Sequence, residues 1–327
     1  MRKKIYLVTG GAGFIGSHLV DYLLEKKHKV IVIDDLSTGS LKNINKKNIK
    51  FIKHDVSIYN KKFEKFFKNV NVVLHLAGLA DLVPSINNPT RYFDVNVKGT
   101  LNVLEACKKN KIKKIVYAAS ASCYGLTKKY FINENFPVDT KHPYALTKKL
   151  GEDLAMHWAQ VFKLNVTSLR LFNVFGLRSR TSGAYGAVFG VFLAQKLKNK
   201  PLTIVGTGNQ TRDFVYVKDV AEAFYKASQL KENRRIINIA SGKEISVNEI
   251  ANMISRNKTH IPKRPGEPDR SKANINLAKK ILKWKPKISV SEGVKIMLSN
   301  IKDWNDAPAW DRKSINKATA LWFKYLK

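Results

Sequence analysis

Tyr144 and Lys148 stand four residues apart in the run His142-Pro143-Tyr144-Ala145-Leu146-Thr147-Lys148. On a helix that spacing puts a phenol and an ammonium on one face. A positive charge close to a phenol favours the phenolate. A group whose ordinary pKa is about 10 then becomes a general base able to work near neutral pH. Such pairs are common on solvated helices, so the pair says little alone. Two other features give it weight: Ser120, a hydroxyl ending the run Lys114–Ala119, and a glycine-rich turn near the start of the chain.

That turn reads IYLVTGGAGFIG over Ile5–Gly16. It is a short apolar strand, a tight turn with Gly10, Gly13 and Gly16, and the start of an apolar-periodic helix. Glycine lets the backbone turn tightly and approach a ligand. The first-turn N–H groups, those of Phe14, Ile15 and Gly16, then face an anion at the positive end of the helix dipole. The next apolar run, Val30–Ile33, ends in Asp34. An acid there is placed to accept hydrogen bonds from an adenosine ribose. A 2′-phosphate would be repelled, so the expected cofactor is NAD rather than NADP. Phe51-Ile52 leads to His54-Asp55, where the acid can hold an adenine amine or serve as an ordinary surface charge. The strand Val70–Leu76 runs into Ala77 and Gly78, small residues that let backbone approach a cofactor.

Four consecutive strand ends, at Gly10, Asp34, Ala77 and Ser120, thus point into one crevice. In open α/β sheets ligands lie beyond the carboxyl ends of the strands. The expected fold class is α/β, a doubly wound parallel sheet over residues 1–175 with a smaller C-terminal substrate-binding α/β domain over 176–327. Parts of about 211–245 are expected to return to the first domain.

The chain has 327 residues, 44% of them hydrophobic, enough for a large core. No apolar stretch is long enough to span a bilayer. Met1-Arg2-Lys3-Lys4 precedes only a four-residue apolar run, which reads as a first strand and not a signal peptide. Cys107 and Cys123 make neither a metal spacing nor a disulfide framework, so no metal and a cytoplasmic location are expected. Lys and Arg number 59 against 25 Asp and Glu, a formal net charge of +34. Nucleic-acid binding is one reading of that excess. The lysines are scattered, however, and no zinc-finger, zipper or aromatic-basic signature accompanies them. A lysine-rich solvated surface that attracts anionic substrates is the better reading.

Further along, residues 61–69 read as a helix with Phe63, Phe66 and Phe67 inward, and Pro84–Pro89 as a break. Tyr92–Lys109 reads as one long helix interrupted by Asn96, whose amide needs partners if buried. Leu150, Leu154, Trp158, Val161 and Phe162 form the apolar stripe of the helix that carries Tyr144. Ser179–Gly190, rich in Gly, Ser and Ala, reads as a substrate loop that includes Val188. Leu202–Val205 and the end of 206–214 read as strand, turn and second strand. Asn274–Trp284 and Val290–Trp304 read as helices, and Ile315–Leu326 as an amphipathic tail with Ala318, Leu321, Trp322 and Leu326 near one face. Arg212 and Arg264 lie in loops and are candidate clamps for a diphosphate, since a guanidinium grips two oxygens at once.

The motifs TGGAGFIG (Thr9–Gly16), HLAG (His75–Gly78), NVKGT (Asn96–Thr100), SASCYG (Ser120–Gly125), YALTK (Tyr144–Lys148), RLFNVFG (Arg170–Gly176), TRDFVYV (Thr211–Val217) and RPGEPDRS (Arg264–Ser271) together resemble one family. It is the extended short-chain dehydrogenase/reductases, and within them the NAD-dependent nucleotide-sugar epimerases and dehydratases, over about residues 4–300. The resemblance implies a Rossmann domain and a set of roles. Gly10, Gly13 and Gly16 lie under the NAD pyrophosphate, with Phe14 and Ile15. Asp34 holds the adenosine ribose, and Asp55 and Val56 lie by the adenine. Leu76, Ala77, Gly78 and Asn96 complete the cofactor contacts. Ser120 bonds the sugar hydroxyl being oxidised, Tyr144 removes its proton, and Lys148 bonds the nicotinamide ribose and lowers the Tyr144 pKa. Ser122, Asn173, Val188, Arg212 and Arg264 meet the nucleotide-sugar, and Glu267 or Asp269 lies by the nucleoside ribose.

The resemblance also discriminates among reactions. Dehydratases of the family carry an Asp-Glu pair where this chain has Ala121 and Ser122, and decarboxylases usually carry the Glu. Neither residue here can transfer the proton that elimination requires. A 4-epimerase needs no such acid. Ser271 matches a gate beside the sugar 2-substituent, where a small residue leaves room for an N-acetyl group. The implied substrate is UDP-GlcNAc/UDP-GalNAc, with UDP-Glc/UDP-Gal also admitted. Other readings are a nucleotide-uronate epimerase, a 4-keto-sugar reductase, a dehydratase, or a basic Rossmann nucleic-acid-binding protein. The resemblance further implies a homodimer in which helices 92–109 and 144–162 form a four-helix bundle. Cys123 and the tail beyond about residue 300 stand outside the family's common pattern.

Overall fold

The apolar runs of the first half fold as parallel strands separated by helices. A computed structural model describes residues 3–126, 131–179 and 188–326. Its strands are β1 (Ile5–Thr9), β2 (Lys29–Asp34), β3 (Lys50–Lys53), β4 (Val72–His75), β5 (Lys114–Ser120), β6 (Phe131–Ile132) and β7 (Val166–Leu171), followed by β8 (Asn173–Phe175), β9 (Leu202–Val205), β10 (Thr211–Tyr216), β11 (Arg235–Ile239), β12 (Glu244–Ser246), β13 (Lys258–Ile261) and β14 (Lys272–Ala273). The helices are α1 (Phe14–Glu25), α2 (Lys61–Lys65), α3 (Leu82–Asn87), α4 (Pro89–Phe93), α5 (Gly99–Lys109) and α6 (Pro143–Val161), then α7 (Val188–Leu197), α8 (Val217–Ser228), α9 (Val247–Ile254), α10 (Val290–Ser299) and α11 (Arg312–Tyr325).

Seven strands make one sheet in the order β11-β7-β5-β4-β1-β2-β3. All its pairings are parallel. Side chains alternate across it. Tyr6 and Val8 meet Leu19, Val20 and Leu23 of α1 and Val220, Ala221 and Phe224 of α8. Leu7 faces the other way, into a core with Phe63, Phe67, Val103 and Leu104 and with Ala155 and Ala159 of α6. Helices on both faces of a parallel sheet define the doubly wound α/β class. The strand order reverses between β1 and β4, the position at which a ligand crevice opens.

A separate apolar cluster joins Phe175, Phe189, Phe192, Phe214, Tyr216 and Trp304. It lies around the small sheets β12-β10-β8 and β13-β9. Of residues 211–245, α8 and β11 join the main sheet and its covering layer, whereas β10 pairs with β8 and β12. Among the described residues no helix is long and apolar enough to cross a membrane.

Several local expectations are corrected. Pro84 and Pro89 do not break the chain but open two short helices. Pro84 sits in the first turn of α3 and Pro89 at the start of α4, where a missing N–H costs no intrahelical bond. The Tyr92–Lys109 helix begins earlier and contains a π-type turn at Asp94–Lys98 between α4 and α5. The buried face of α6 is Ala145, Thr147, Lys148, Gly151, Glu152, Ala155 and Ala159, while Val161 and Phe162 of the expected stripe are 50% and 40% exposed. In α11 the buried residues are Ile315, Thr319 and Trp322, and Leu321 points outward. The helix expected over Asn274–Trp284 is shortened to 276–282, with a π-type turn at Ala278–Leu282, and α10 ends at Ser299 before a 3₁₀ turn, Ile301–Trp304. The strand, turn and second strand expected over 202–214 form as β9 and β10, and β9 pairs with β13. Within the expected Ser179–Gly190 loop, Val188–Gly190 already belong to α7, and residues 180–187 lie outside those described.

Candidate active site

A single cleft of about 700 Å³ crosses the carboxyl end of the sheet. It runs from Asp34 and Asp55, past Ser120, Tyr144 and Lys148, to Arg212, Arg264 and Trp322.

The glycine turn forms one end. Gly10 has φ +69°, and a Cβ there would lie 2.7 Å from the Ala77 backbone nitrogen. A Cβ on Gly16 would lie 2.0 Å from the Gly10 carbonyl oxygen. The turn therefore tolerates no side chain at either point. Gly13 caps α1 without a side-chain hydrogen bond, so the first-turn N–H groups stay open toward the cleft. Asp34 Oδ2 accepts from the Ala12 N–H at 2.9 Å and Oδ1 from the Leu36 N–H at 2.8 Å. Burial still holds this carboxyl above its usual pKa, against the two backbone bonds. A glycine cradle at a helix N-terminus, with an acid at the end of the neighbouring strand, fits a dinucleotide pyrophosphate and its ribose.

Asp55 lines the same end, but its carboxylate is engaged. Oδ1 accepts from the Ser57 N–H and hydroxyl, and Oδ2 pairs with Arg91 at 2.8 Å. Arg91 also lies 3.7 Å from Asp35. The sequence reading missed this arginine, which falls between the Pro84–Pro89 break and the helix expected from Tyr92.

Beneath the centre of the cleft lies a buried hydrogen-bond chain. The Ala77 N–H donates to Thr9 Oγ1 at 3.2 Å, and Thr9 Oγ1 is 2.7 Å from His75 Nδ1. His75 Nε2 is 3.0 Å from Thr100 Oγ1, which donates to the Asn96 carbonyl at 2.6 Å. The Thr100 proton is thus committed, and the network assigns the His75 proton to Nε2. Asn96 itself does not line the cleft. Its amide accepts from the Leu79 N–H at 2.8 Å and donates to the Leu79 carbonyl and Thr147 Oγ1. It holds the loop after β4 from behind, so its buried amide has the partners it needs.

His142 caps α6: its Nδ1 accepts from the Ala145 N–H at 3.2 Å, and Pro143 opens the helix. One helical face then presents Tyr144, Lys148 and Glu152 in succession. Gly151 lets that face approach β5, since a Cβ there would lie 2.3 Å from the Tyr117 hydroxyl. Ser120 Oγ and Ser122 Oγ are 2.7 Å apart, and both hydroxyls act to lower the pKa of the Tyr144 phenol, which lines the same cleft. Lys148 Nζ lies 4.5 Å from the Tyr117 ring centroid.

The expectation that Lys148 lowers the Tyr144 pKa is not met by the chain's own groups. Burial raises the phenol, and the Ser120 and Ser122 hydroxyls oppose it only in part. Burial also brings Lys148 down to about 7. The same desolvation that brings the pair together suppresses the charge that was to activate the phenol. Asp81, in the loop before α3, adds a negative charge that raises Tyr144 further. Nothing in its sequence context marks Asp81 as a cleft residue.

At the far end, Arg264 Nη1 is 3.1 Å and Arg212 Nη2 3.6 Å from Glu267. Asn173 donates to the Asp213 carbonyl at 3.1 Å. Val56, Leu76, Gly78, Val188 and Ser271 line the cleft as well. Asp269 does not; it is a surface acid paired with Lys263 at 2.7 Å. Cys123 is 2% exposed among Tyr124, Ile132 and Phe172, and burial pushes its thiol up to about 11. It packs as a small apolar residue.

Three histidines are held neutral by burial: His75 at about 3, and His18 and His142 at about 4. In the unfolded chain each binds a proton below about pH 6.5. Between pH 6.5 and about 4 the unfolded state therefore binds more protons, and stability falls as pH falls. Three such sites cost up to roughly 4 kcal/mol per pH unit. Urea midpoints should drop steeply from pH 7 to 5. His142→Asn keeps a good cap without a titrating group. Its slope should be shallower by about a third, and an unchanged slope would remove His142 from this account.

A parallel doubly wound sheet with a close-packed glycine turn at its switch point, and Ser120, Tyr144 and Lys148 over the same crevice, fit the dinucleotide-binding class of α/β protein. Comparison narrows it: the model of the NAD dependent epimerase/dehydratase family matches residues 6–240, and the chain belongs to that NAD-dependent family. A Methanocaldococcus jannaschii protein, provisionally assigned as a UDP-glucose 4-epimerase, is 40% identical over 91% of this chain and 99% of its own. The UDP-N-acetylglucosamine 4-epimerase from Methanobrevibacter ruminantium, solved with UDP-N-acetylmuramic acid, is 34% identical. It superposes with a TM-score of 0.85 over 92% of this chain and all of that one. The Thermus thermophilus UDP-glucose 4-epimerase, solved with NAD, is 32% identical with a TM-score of 0.84 over 91% of this chain and 99% of that one. Relatives at 34% and 32% identity are a UDP-glucuronate 4-epimerase and a UDP-glucuronic acid decarboxylase, so similarity alone does not select the sugar.

Proposed function

We propose that the protein is a nucleotide-sugar 4-epimerase that interconverts UDP-GlcNAc and UDP-GalNAc, and UDP-Glc and UDP-Gal as well. The observation that carries this reading is the hydroxyl set Ser120–Ser122–Tyr144, with Ala121 and Ser122 standing where elimination would need an acid and a base. NAD, when bound, would supply reversible hydride acceptance at C4 of the sugar. Gly10–Gly16 and Asp34 hold that cofactor. Ser120 orients the C4 hydroxyl, and Tyr144 takes its proton and later gives one back. Lys148, buried beside Tyr117, bonds the nicotinamide ribose. Arg212 and Arg264 grip the diphosphate, leaving the 4-keto sugar free to present its other face.

The Asp81 charge near Tyr144 favours a neutral hexose over a hexuronate, whose carboxylate it would repel. Ser271, small and in the cleft wall, supports room for the N-acetyl group. NMR of the sugar C4 configuration, with UDP-GlcNAc and UDP-Glc as substrates, tests the reading; conversion of neither by NAD-loaded protein would sink it. Ser271→Tyr should lower turnover of UDP-GlcNAc at least about tenfold while sparing UDP-Glc, since a clash rejects the larger group. Equal loss on both substrates would remove Ser271 from the gate. A homodimer through the helical segments 92–109 and 144–162 belongs to the same proposal. It is supported by the exposed apolar Phe93, Leu146, Val161 and Phe162, at 49%, 47%, 50% and 40%.

A further inference from the structure

The C-terminal helix does more than coat the second lobe. Asp311 caps it by accepting from the Ser314 N–H at 2.8 Å. Its buried residues Ile315, Thr319 and Trp322 recur at the spacing of one helical face. Ile315 packs against Val205 and Ile261, at the ends of β9 and β13. Two turns later Trp322 is 2% exposed and forms part of the cleft wall. Its indole N–H donates to the Pro265 carbonyl at 2.8 Å. Its ring centroid lies 5.2 Å from the Arg264 guanidinium carbon. The same helix packs on α3, whose Leu82 and Val83 line the cofactor side of the cleft.

The segment that carries Arg264 has no regular structure between β13 and β14, and Gly266 takes φ +72°. Such a loop has no ladder of its own to fix a long side chain. Glu267 holds the Arg264 guanidinium at one nitrogen, 3.1 Å away, and one such contact leaves a long side chain rotamer freedom to lose on binding a diphosphate. Stacking on an indole, with the next carbonyl held by the indole N–H, removes that freedom beforehand.

We infer that Trp322 is a substrate-positioning residue, through which the C-terminal helix presets Arg264 for the nucleotide diphosphate. The inference rests on the diphosphate role given to Arg264 above. It is tested on full-length, NAD-loaded protein by calorimetric titration with UDP, and by kcat and KM for UDP-GlcNAc. Trp322→Ala should weaken UDP binding and raise KM about tenfold, with kcat within about twofold and NAD content unchanged. Trp322→Phe keeps a ring over Arg264 but not the N–H, and should fall between. Ile315→Ala loosens the same helix away from the arginine and should leave the UDP affinity near wild type. Added to Arg264→Ala, Trp322→Ala should cost nothing more. Wild-type UDP affinity in Trp322→Ala, equal weakening in Ile315→Ala, or full additivity with Arg264→Ala would each overturn the inference. A wild type that retains NAD yet binds no UDP would instead overturn the diphosphate reading, and the inference with it.

Discussion

Replacing Tyr144 by Phe should lower kcat by about a thousandfold while the protein keeps its NAD and its affinity for UDP. A positioned general base typically contributes 10²–10⁴-fold, roughly 3–5 kcal/mol of barrier. Ser120 and Ser122 cannot replace it, because an alcohol is a far weaker base than a phenolate. The cofactor grip lies elsewhere, in the glycine turn and Asp34, so NAD content should stay near wild type. The pH profile gives a second readout. Burial holds Tyr144 above its ordinary value, so little phenolate exists at pH 7. Wild-type kcat/KM should therefore climb between pH 7 and 9, as the base form is recruited. The residual activity of Tyr144→Phe should lack that climb. Turnover within a few-fold of wild type, or an identical pH slope, would show that Tyr144 is not the base.

The frame that holds Tyr144 was legible where apolar residues end abruptly. Val8, Ile33, Leu76 and Ala119 each give way to a glycine, an acid, a small residue or a hydroxyl, and those ends meet in one cleft. What could not be read is what depends on contacts between distant segments. The stripe of α6 was assigned to Leu150, Leu154, Trp158, Val161 and Phe162; Leu154 and Trp158 do pack at the edge of the core, whereas Val161 and Phe162 are exposed. The face that packs on the sheet is built from Ala145, Gly151, Ala155 and Ala159, because close approach to β5 leaves no space for more. Small residues carry little weight in an apolar periodicity. Thr319 is buried in α11 because its hydroxyl donates to the Ile315 carbonyl at 2.8 Å, a local bond that polarity scales ignore. The Lys148 effect on Tyr144 was inferred from spacing, and spacing is blind to desolvation. Asp81 and Trp322 reach the cleft, and Arg91 reaches the carboxylate of its lining residue Asp55, from segments with no motif. Their place follows from α3, α4 and α11 packing, and no local pattern announces that packing.

The largest stability effect is expected at Glu152, two turns beyond Tyr144 on the same face of α6. Its carboxylate accepts from Arg170 Nη2 at 2.6 Å, from Arg170 Nε at 3.1 and 3.2 Å, and from Ser168 Oγ at 2.9 Å. The two side chains are 2% and 4% exposed. Arg170 Nη1 continues the network to the Tyr124 hydroxyl at 2.9 Å, and Tyr124 donates to Asn238 at 2.8 Å. The pair thus ties α6 to β7, to the turn after Ser120 and to β11. Glu152→Ala would strand a guanidinium in the interior without its counter-charge. Breaking a buried pair in this way costs about 3–5 kcal/mol, a third or more of a typical protein's stability. Urea unfolding should register that loss, and Ser120 and Tyr144 should lose their relative placement with it. Glu152→Gln keeps the volume and an acceptor, so its loss should be smaller. The informative comparison is Glu152→Leu with Arg170→Met. Removing both charges abolishes the desolvation cost along with the attraction, and apolar replacements of buried pairs are often neutral. The double variant should therefore be markedly more stable than either single one. Its turnover should still be depressed, because Tyr124 and Asn238 would have lost the guanidinium that links them to α6. Recovery of stability without recovery of rate would separate the packing role of the pair from its part in positioning the strand-five turn. Recovery of both would confine it to packing.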